Sequence, residues 1–398
     1  MTFYDDLETR SADERAAAQL IALREQIARA RSASASCNLE GAEIADLSNL
    51  ASYAVLRKSD LSKWQKERPP FGGFAVKNAA HIFQSPGPIY EPGGISHDWW
   101  RMGRFLNACG IGAEDIVHNC FGYHLTPAGM IFESGARAVG ASVLPAGIGQ
   151  TELQVRAAAD IGTTAYAGTP DYLKVILDKA DEMGETLKIT KAAVGGGALF
   201  PSLRQEYADR GISCLQSYAT ADLGNVAYET SAMEGMIVDE GVIVEIVTPG
   251  TGTPVAPGEV GEVVVTTLNP DYPLIRFATG DLSAILPGQS PCGRTNIRIK
   301  GWMGRADQTT KIKGMFVRPE QVADFVAKHD EISKARVIAS RVGEMDAMTV
   351  QVEAHGGDQS AFEASVASLL KLKGKVEIHA PGSLPKDGKV IDDQRVYD

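Results

Sequence analysis

Arg276-Phe-Ala-Thr-Gly-Asp281, followed by Gly304-Arg-Ala-Asp307 and, close to the end, Pro385-Lys-Asp-Gly-Lys389, decides how the 398 residues are read. An Arg/Thr/Gly/Asp turn presents a carboxylate with two acceptor oxygens, which suits the paired donors of a diol. A nearby Gly-Arg-x-Asp can place a guanidinium and serve as a hinge. A late Gly-Lys can carry a mobile cation. A long body lies ahead of this block and a much shorter tail behind it.

Working outward, Ser96 reads as an N-cap, and Trp99, Met102, Phe105, Leu106 and Cys109 form an apolar stripe stopping at Gly110, which predicts one helix. Asp115–Phe121 reads as a buried strand, and further strands are expected at Ala141–Pro145 and Thr164–Gly168. Thr169-Pro170 opens a helix through Tyr172, Val175, Ile176 and Met183 that Gly184 ends. Strand-helix alternation of this kind implies an α/β fold with a parallel sheet covered on both faces.

Gly241–Val247 and Gly261–Leu268 are β-rich and separated by Gly, Pro and Thr, suggesting a smaller antiparallel sheet or barrel. Beyond Asp307 the pattern resets: a helix at Pro319, strands at Ala335–Ser340 and Met348–Ala354, a helix from Asp358 to Leu370, and a last strand at Val376–His379. Near the start, Ala17, Leu20, Leu23 and Ile27 mark an amphipathic helix over Ala12–Arg31, and a short helix follows at Asp60. Domains are expected at 1–303 and 304–398.

A net charge of −11 gives no basic face for nucleic acid. Phosphate groups would have to be met locally, by backbone N–H groups and single cations. No apolar run reaches membrane-spanning length, and the opening Met-Thr-Phe-Tyr-Asp-Asp does not read as a signal peptide. Cys37, Cys109, Cys120, Cys214 and Cys292 show no paired spacing, which points to reduced thiols in a cytoplasmic protein. No Ser/His/Asp or Cys/His nucleophile pattern is found.

In this order the motifs resemble the acyl-adenylate-forming enzymes, most closely the phenylacetate–coenzyme A ligase family. With the opening phrase Pro69-Pro-Phe-Gly-Gly-Phe-Ala-Val, the resemblance runs from Phe3 to Asp398. It implies a large α/β N-terminal domain, a small mobile α+β C-terminal domain, and a homodimer. It implies ATP-dependent activation of an organic acid, aromatic by preference, through acyl-AMP, with Mg²⁺ as cofactor and transfer to coenzyme A.

On the matching positions, Asp281 and Arg305 would hold the ribose. Tyr218, Ala219 and the turn Gly195-Gly196-Gly197 would hold adenine, and Asp222 the Mg²⁺. Lys389 would drive adenylation, with Lys386 the competing choice. Asp307 would be the hinge, and Lys313 would contact coenzyme A or phosphate. Phe121, Tyr123 and His124 would border the acyl pocket; His124 either hydrogen-bonds a substrate or caps a helix.

Three departures accompany the resemblance. Tyr218-Ala-Thr-Ala-Asp222 has Ala221 where the family has a hydroxyl, and an aspartate where it has a glutamate. The phosphate loop keeps Ser85 and Gly87, but carries Pro88 and Ile89 in place of hydroxyl residues and Glu91 in place of lysine. A carboxylate ~4 Å from a phosphate costs on the order of 4 kcal/mol at an effective dielectric of ~20. Either Glu91 points elsewhere, or ATP is handled differently, or turnover is lost. Finally, Thr230, Met236 and Ser290 stand about where relatives bear zinc-type ligands, leaving only Cys292, so no zinc site is expected. The alternatives are delivery to a carrier-protein thiol, and a degenerate nucleotide- or acyl-CoA-binding protein without turnover.

Overall fold

The computed structural model describes residues 3–32, 39–41, 43–75, 79–85, 88–197, 199–306, 310–313, 315–342, 345–385, 387 and 389–395. Gly87, Asp307 and Lys386 therefore lie outside the described residues. The chain divides into two compact units. One comprises Met1–Val244, Val265–Phe277 and Leu286–Gly301; the other comprises Glu245–Val264, Ala278–Ile285 and Trp302–Asp398.

The first unit is built on short, buried, alanine- and valine-rich strands. Ser213–Thr220, Lys191–Val194, Ala165–Gly168, Ile116–Asn119 and Ser142–Pro145 lie side by side in that order, all parallel. Gly224–Tyr228 pairs antiparallel with the 213–220 strand, and Met236–Val238 antiparallel with Gly224–Tyr228. Ala165, Tyr166 and Ala167 have no exposed surface, as expected for strands covered on both faces. The intervening helices are Ala128–Ala138, Thr151–Ile161, Pro170–Met183 and Pro201–Asp209. Pro170–Met183 has the expected limits, with proline in the first turn and Gly184 at φ 72°, a left-handed cap that costs glycine nothing.

The stripe from Trp99 to Cys109 does not form one helix. Asp98 and Arg101 sit at φ 47° and 62°, and the helix begins only at Gly103 and ends at Ala108. The N-cap position falls on Met102, not Ser96, and the Asp98 carboxylate accepts from the first helical N–H, of Gly103, at 3.0 Å. The apolar residues are nonetheless buried, because a turn delivers Trp99 and Met102 to the same core as Phe105 and Leu106. The helix Ala12–Ser32 is close to expectation, with Leu23 and Ile27 buried.

His118 lies on the strand Ile116–Asn119, fully buried, its Nε2 3.1 Å from Gln154 Oε1. Burial lowers its pKa from 6.5 to about 4, against the opposing hydrogen bond. Because the folded value lies below the unfolded one, the stabilisation is complete above pH 6.5 and is lost as pH falls toward 4. The loss should amount to about 3 kcal/mol. Urea unfolding at pH 7 and pH 4, with His118→Gln as the comparison, checks this: the acid loss should shrink in the variant.

The second unit carries a four-stranded sheet in the order Lys375–His379, Met345–Ala354, Ile332–Val342, Ile391–Asp393. The long central pair is antiparallel and each outer strand joins it in parallel. Helices Pro319–Ala327 and Gln359–Leu369 meet through Phe325 and Phe362, edge to face at 6.3 Å, over Val337, Val350 and Val352. The strand Ile391–Asp393 was not among those expected. Its only sequence cue is the apolar pair Val390-Ile391, with Ile391 buried.

Candidate active site

Parallel strands bring the residues that follow them to one edge of a sheet, the edge where α/β folds place ligands. In the first unit the Phe121–His124 loop follows Ile116–Asn119, the glycine turn follows Lys191–Val194, and Tyr218 to Asp222 ends or follows Ser213–Thr220. Phe121 is buried and stacks on Phe132 at 4.3 Å. A Cβ on Gly196 would lie 3.7 Å from Phe121, and one on Gly195 would lie 3.1 Å from Ser217 Oγ, so this turn sits flat on the candidate acyl wall. Gly196 is at φ 69°, which glycine adopts without strain. The Tyr123 hydroxyl accepts from Asn119 Nδ2 at 2.8 Å, and burial pushes its pKa up. His124 is exposed, so it does not share the buried setting of Phe121.

Tyr218 is buried on the 213–220 strand, and a β-bulge separates it from Ala219. Bulges re-aim the side chains next to them. The hydroxyl nearest the missing one, on Thr220, accepts from the Leu223 N–H at 3.1 Å and closes the turn that carries Asp222.

Asp222 is 4% exposed, and its Oδ2 accepts from Lys58 Nζ at 2.7 Å. Lys58 begins the helix Lys58–Glu67 and is separated from Asp222 by 164 positions. No motif singles it out in the sequence.

Glu91 also points inward: it lies on Ile89–Gly93, opposite Phe83 in an antiparallel hairpin, with no exposed surface. Burial first, and then the neighbouring Asp222, raise its pKa to about 7, while Ser85 and Lys58 oppose the shift. Ser85 is buried on the same face of the hairpin.

The second unit holds the remaining candidate residues. Asp281 is 9% exposed, and its Oδ1 accepts from Trp302 Nε1 at 3.1 Å and from Arg305 Nη1 at 3.0 Å. Asp281 and Arg305 also form a backbone bridge, flanked by Leu282 N–H to Gly304 O at 2.9 Å and Ala306 N–H to Gly280 O at 2.7 Å. The Thr279 hydroxyl donates to Val263 O at 3.0 Å and accepts from the Asp281 N–H at 3.2 Å, which fixes the turn. At Gly280, φ is 74° and an added Cβ would meet Arg305 Nη2 at 2.7 Å. The glycine thus lets the guanidinium lie over the turn. Trp302, more than half exposed, is a further member of this group that its sequence position does not announce.

Arg276, by contrast, is a structural residue of the first unit: it is 2% exposed and donates to Tyr53 O at 2.5 Å and Ala51 O at 3.1 Å. Lys389 is half-exposed, with Nζ 3.0 Å from Asp392 Oδ1 and its N–H donating to Asp387 at 3.1 Å. The buried Arg336 pairs with Asp387 at 2.6 Å and Asp392 at 3.0 Å, so one guanidinium organises both carboxylates that flank the lysine. Although burial works the other way, bonds from Gln394, Arg336 and Lys389 pull the Asp392 carboxyl down to about 2. Lys313 is exposed in a hairpin turn at φ 48°, its N–H donating to Asp346 at 2.9 Å. A cavity of about 480 Å³ borders Lys389, but Glu353 and Lys334 in its lining already bond the loop backbone at Leu384 and Pro385.

Where the resemblance placed zinc-type ligands, the Cys292 sulfur accepts from Ser290 Oγ at 3.1 Å and faces Arg294. Arg294 is paired with Glu8 at 2.6 Å. Among the described residues no group of three or more His, Cys, Asp or Glu side chains could hold a metal, and no helix is long and apolar enough to cross a membrane.

Among known proteins, no family model matches the chain. It is 30% identical over 375 residues to the phenylacetate–coenzyme A ligase of Aromatoleum evansii, covering 88% of this chain and 84% of that protein. It is 30% identical over 384 residues to the enzyme of the same name from Escherichia coli K12, covering 88% and 85%. Its fold is shared with a 2-hydroxyisobutyryl-CoA ligase solved with an acyl-AMP and CoA, at a TM-score of 0.70, 22% identity, and 95% and 90% coverage. The chain therefore belongs to the phenylacetate–coenzyme A ligase family of the adenylate-forming enzymes.

Proposed function

We propose that this protein is an AMP-forming acid–thiol ligase that activates an organic acid, aromatic by preference, and transfers it to coenzyme A. The observation that carries the reading is membership of the family across most of the chain's length. An oxygen of the substrate carboxylate attacks the α-phosphorus of ATP, and pyrophosphate leaves. The thiol of coenzyme A, giving its proton to solvent, then attacks the acyl carbonyl, and AMP leaves.

In this reading Asp281 accepts from the ribose hydroxyls, and Arg305 and Trp302 keep its carboxylate oriented. Tyr218 and the Gly195–Gly197 turn meet adenine, and Phe121 and Tyr123 border the acyl group. Lys389 supplies a cation to oxygens on which charge grows during adenylation. Asp307 serves as hinge and Lys313 as a contact for coenzyme A. Mg²⁺ would be held through Asp222, whose buried second oxygen has no hydrogen-bond partner, a fit for a hard cation. When bound, the ion screens the phosphates. We further propose a cytoplasmic homodimer, on the family resemblance alone.

Incubating the protein with ATP, Mg²⁺ and a panel of aryl acids, with coenzyme A or a carrier protein as acceptor, tests the reading by mass spectrometry. Acyl-CoA and AMP should appear in equal amounts; loading of the carrier alone would move the acceptor. Asp281→Ala should weaken AMP binding by about 10- to 100-fold, since a bond to a charged group is worth ~1.5–3 kcal/mol. Calorimetry with AMP checks this, and unchanged binding would remove Asp281 from the nucleotide site.

A further inference from the structure

Glu91 has no exposed surface, and neither of its carboxylate oxygens has a well-aligned hydrogen-bond partner, although Ser85 lies close enough to oppose the rise of its pKa. The helix that starts at Lys58 docks on the Glu91 strand, Gln65 bonding the Tyr90 backbone at 2.7 and 2.8 Å. Asp222, whose charge Glu91 feels, bonds Lys58 through Oδ2, while its Oδ1 is buried and unpartnered. Tyr272, 1% exposed, adds a buried hydroxyl without a partner that feels the charge of both carboxylates. Ser85 stands diagonal to Glu91 on the same face of the hairpin.

Oxygen atoms buried without partners are uncommon, and each calls for an explanation such as an ion. With one ammonium in reach, two buried carboxyl groups carry an excess negative charge when both ionise, which a low-dielectric interior penalises and which, after burial itself, raises the Glu91 pKa. A divalent cation offsets that charge, and carboxylate oxygens are the hard donors it prefers, with water completing the shell. Access is also marked. The Lys58 side chain is 35% exposed while that of Asp222 is 0% exposed, so the ammonium stands between the buried carboxylate and solvent.

We propose that Glu91 and Asp222 together form a divalent-cation site, loaded before nucleotide binds, with Lys58 as the ammonium that the metal displaces. The inference deepens the proposed function, from which the metal-side role of Asp222 is taken. It turns the glutamate found in place of a phosphate-loop lysine from an obstacle into a ligand.

The test titrates Mn²⁺ alone into the nucleotide-free full-length protein and follows free Mn²⁺ by electron paramagnetic resonance. One ion should bind per chain. Glu91→Gln and Asp222→Asn should each weaken it by at least about 10-fold, the scale of losing a metal-site partner. Lys58→Gln should bind Mn²⁺ several-fold more tightly, because a competing cation is gone. Glu91→Gln removes a buried charge at constant shape, so its unfolding midpoint should not fall, which separates ligand loss from misfolding.

Mn²⁺ affinity unchanged in Glu91→Gln, or absent in the wild type, overturns the proposal. Loss in Asp222→Asn alone would overturn the role of Glu91 while leaving the ligase reading intact. Acid-dependent pyrophosphate release judges that reading separately. If such release is absent while the Mn²⁺ pattern holds, the ligase reading falls and the cation site stands.

Discussion

Replacing Lys389 with alanine should slow acyl-adenylate formation by about 10²- to 10³-fold, the loss seen when one donor to developing charge is removed. The lysine is half-exposed, and among the described residues its ammonium is held by one carboxylate, Asp392, at 3.0 Å. A surface pair of this kind contributes ~0–1 kcal/mol, so the ammonium is cheaply released to a substrate. Its loop does not depend on it, because buried Arg336 anchors Asp387 and Asp392 independently. Stability and AMP binding should therefore survive the substitution. Single-turnover adenylate formation and AMP calorimetry on the same variant check both parts. Adenylation at the wild-type rate would transfer the role to another cation, with Lys386 next in line.

The largest stability effect is expected at Arg294. Its Nε lies 2.6 Å from Glu8 Oε1, with side-chain exposures of 2% and 1%. The Tyr228 hydroxyl donates to the same oxygen at 2.7 Å, and the Tyr4 N–H donates to the other at 2.6 Å. Arg294→Met would leave the Glu8 carboxylate buried without its counter-charge, at a cost of about 3–5 kcal/mol. Glu8→Gln combined with Arg294→Met should recover much of that loss, since a neutral amide no longer needs the guanidinium. Urea midpoints of the single and double variants measure the difference. A loss under 1 kcal/mol for Arg294→Met would mean that water or Tyr228 satisfies Glu8.

The fold was legible where local signals agree. Pro170 and Gly184 bracket a helix whose limits are those expected, and the short Ala/Val strands announce a parallel sheet. It was obscured where a side chain overrides the stripe. Asp98 takes the Gly103 N–H from five positions away, and the helix starts after a turn rather than at Ser96. The strand Ile391–Asp393 is too short to show periodicity, and its partner strand, Ile332–Val342, lies far back in the chain.

At the site, residues that belong to recognisable motifs were readable, as with Asp281 and Arg305, which a backbone bridge brings together across 24 positions. Partners delivered by tertiary packing were not. Lys58 reaches Asp222 across 164 positions, Trp302 reaches Asp281 across 21, and Tyr272 is marked only by its burial and its charged neighbours. Glu91 was visible as an anomaly, but the hairpin register that turns it inward was not.

The measurement that tests the central claim most directly is pyrophosphate release from ATP and Mg²⁺ across a panel of aryl and short-chain acids, with and without coenzyme A. Release that depends on one acid, and occurs without coenzyme A as a single burst, is the result expected of a ligase that forms acyl-AMP first. No acid-dependent release across the panel, from protein that still binds AMP, would contradict it and leave a nucleotide-binding protein without turnover.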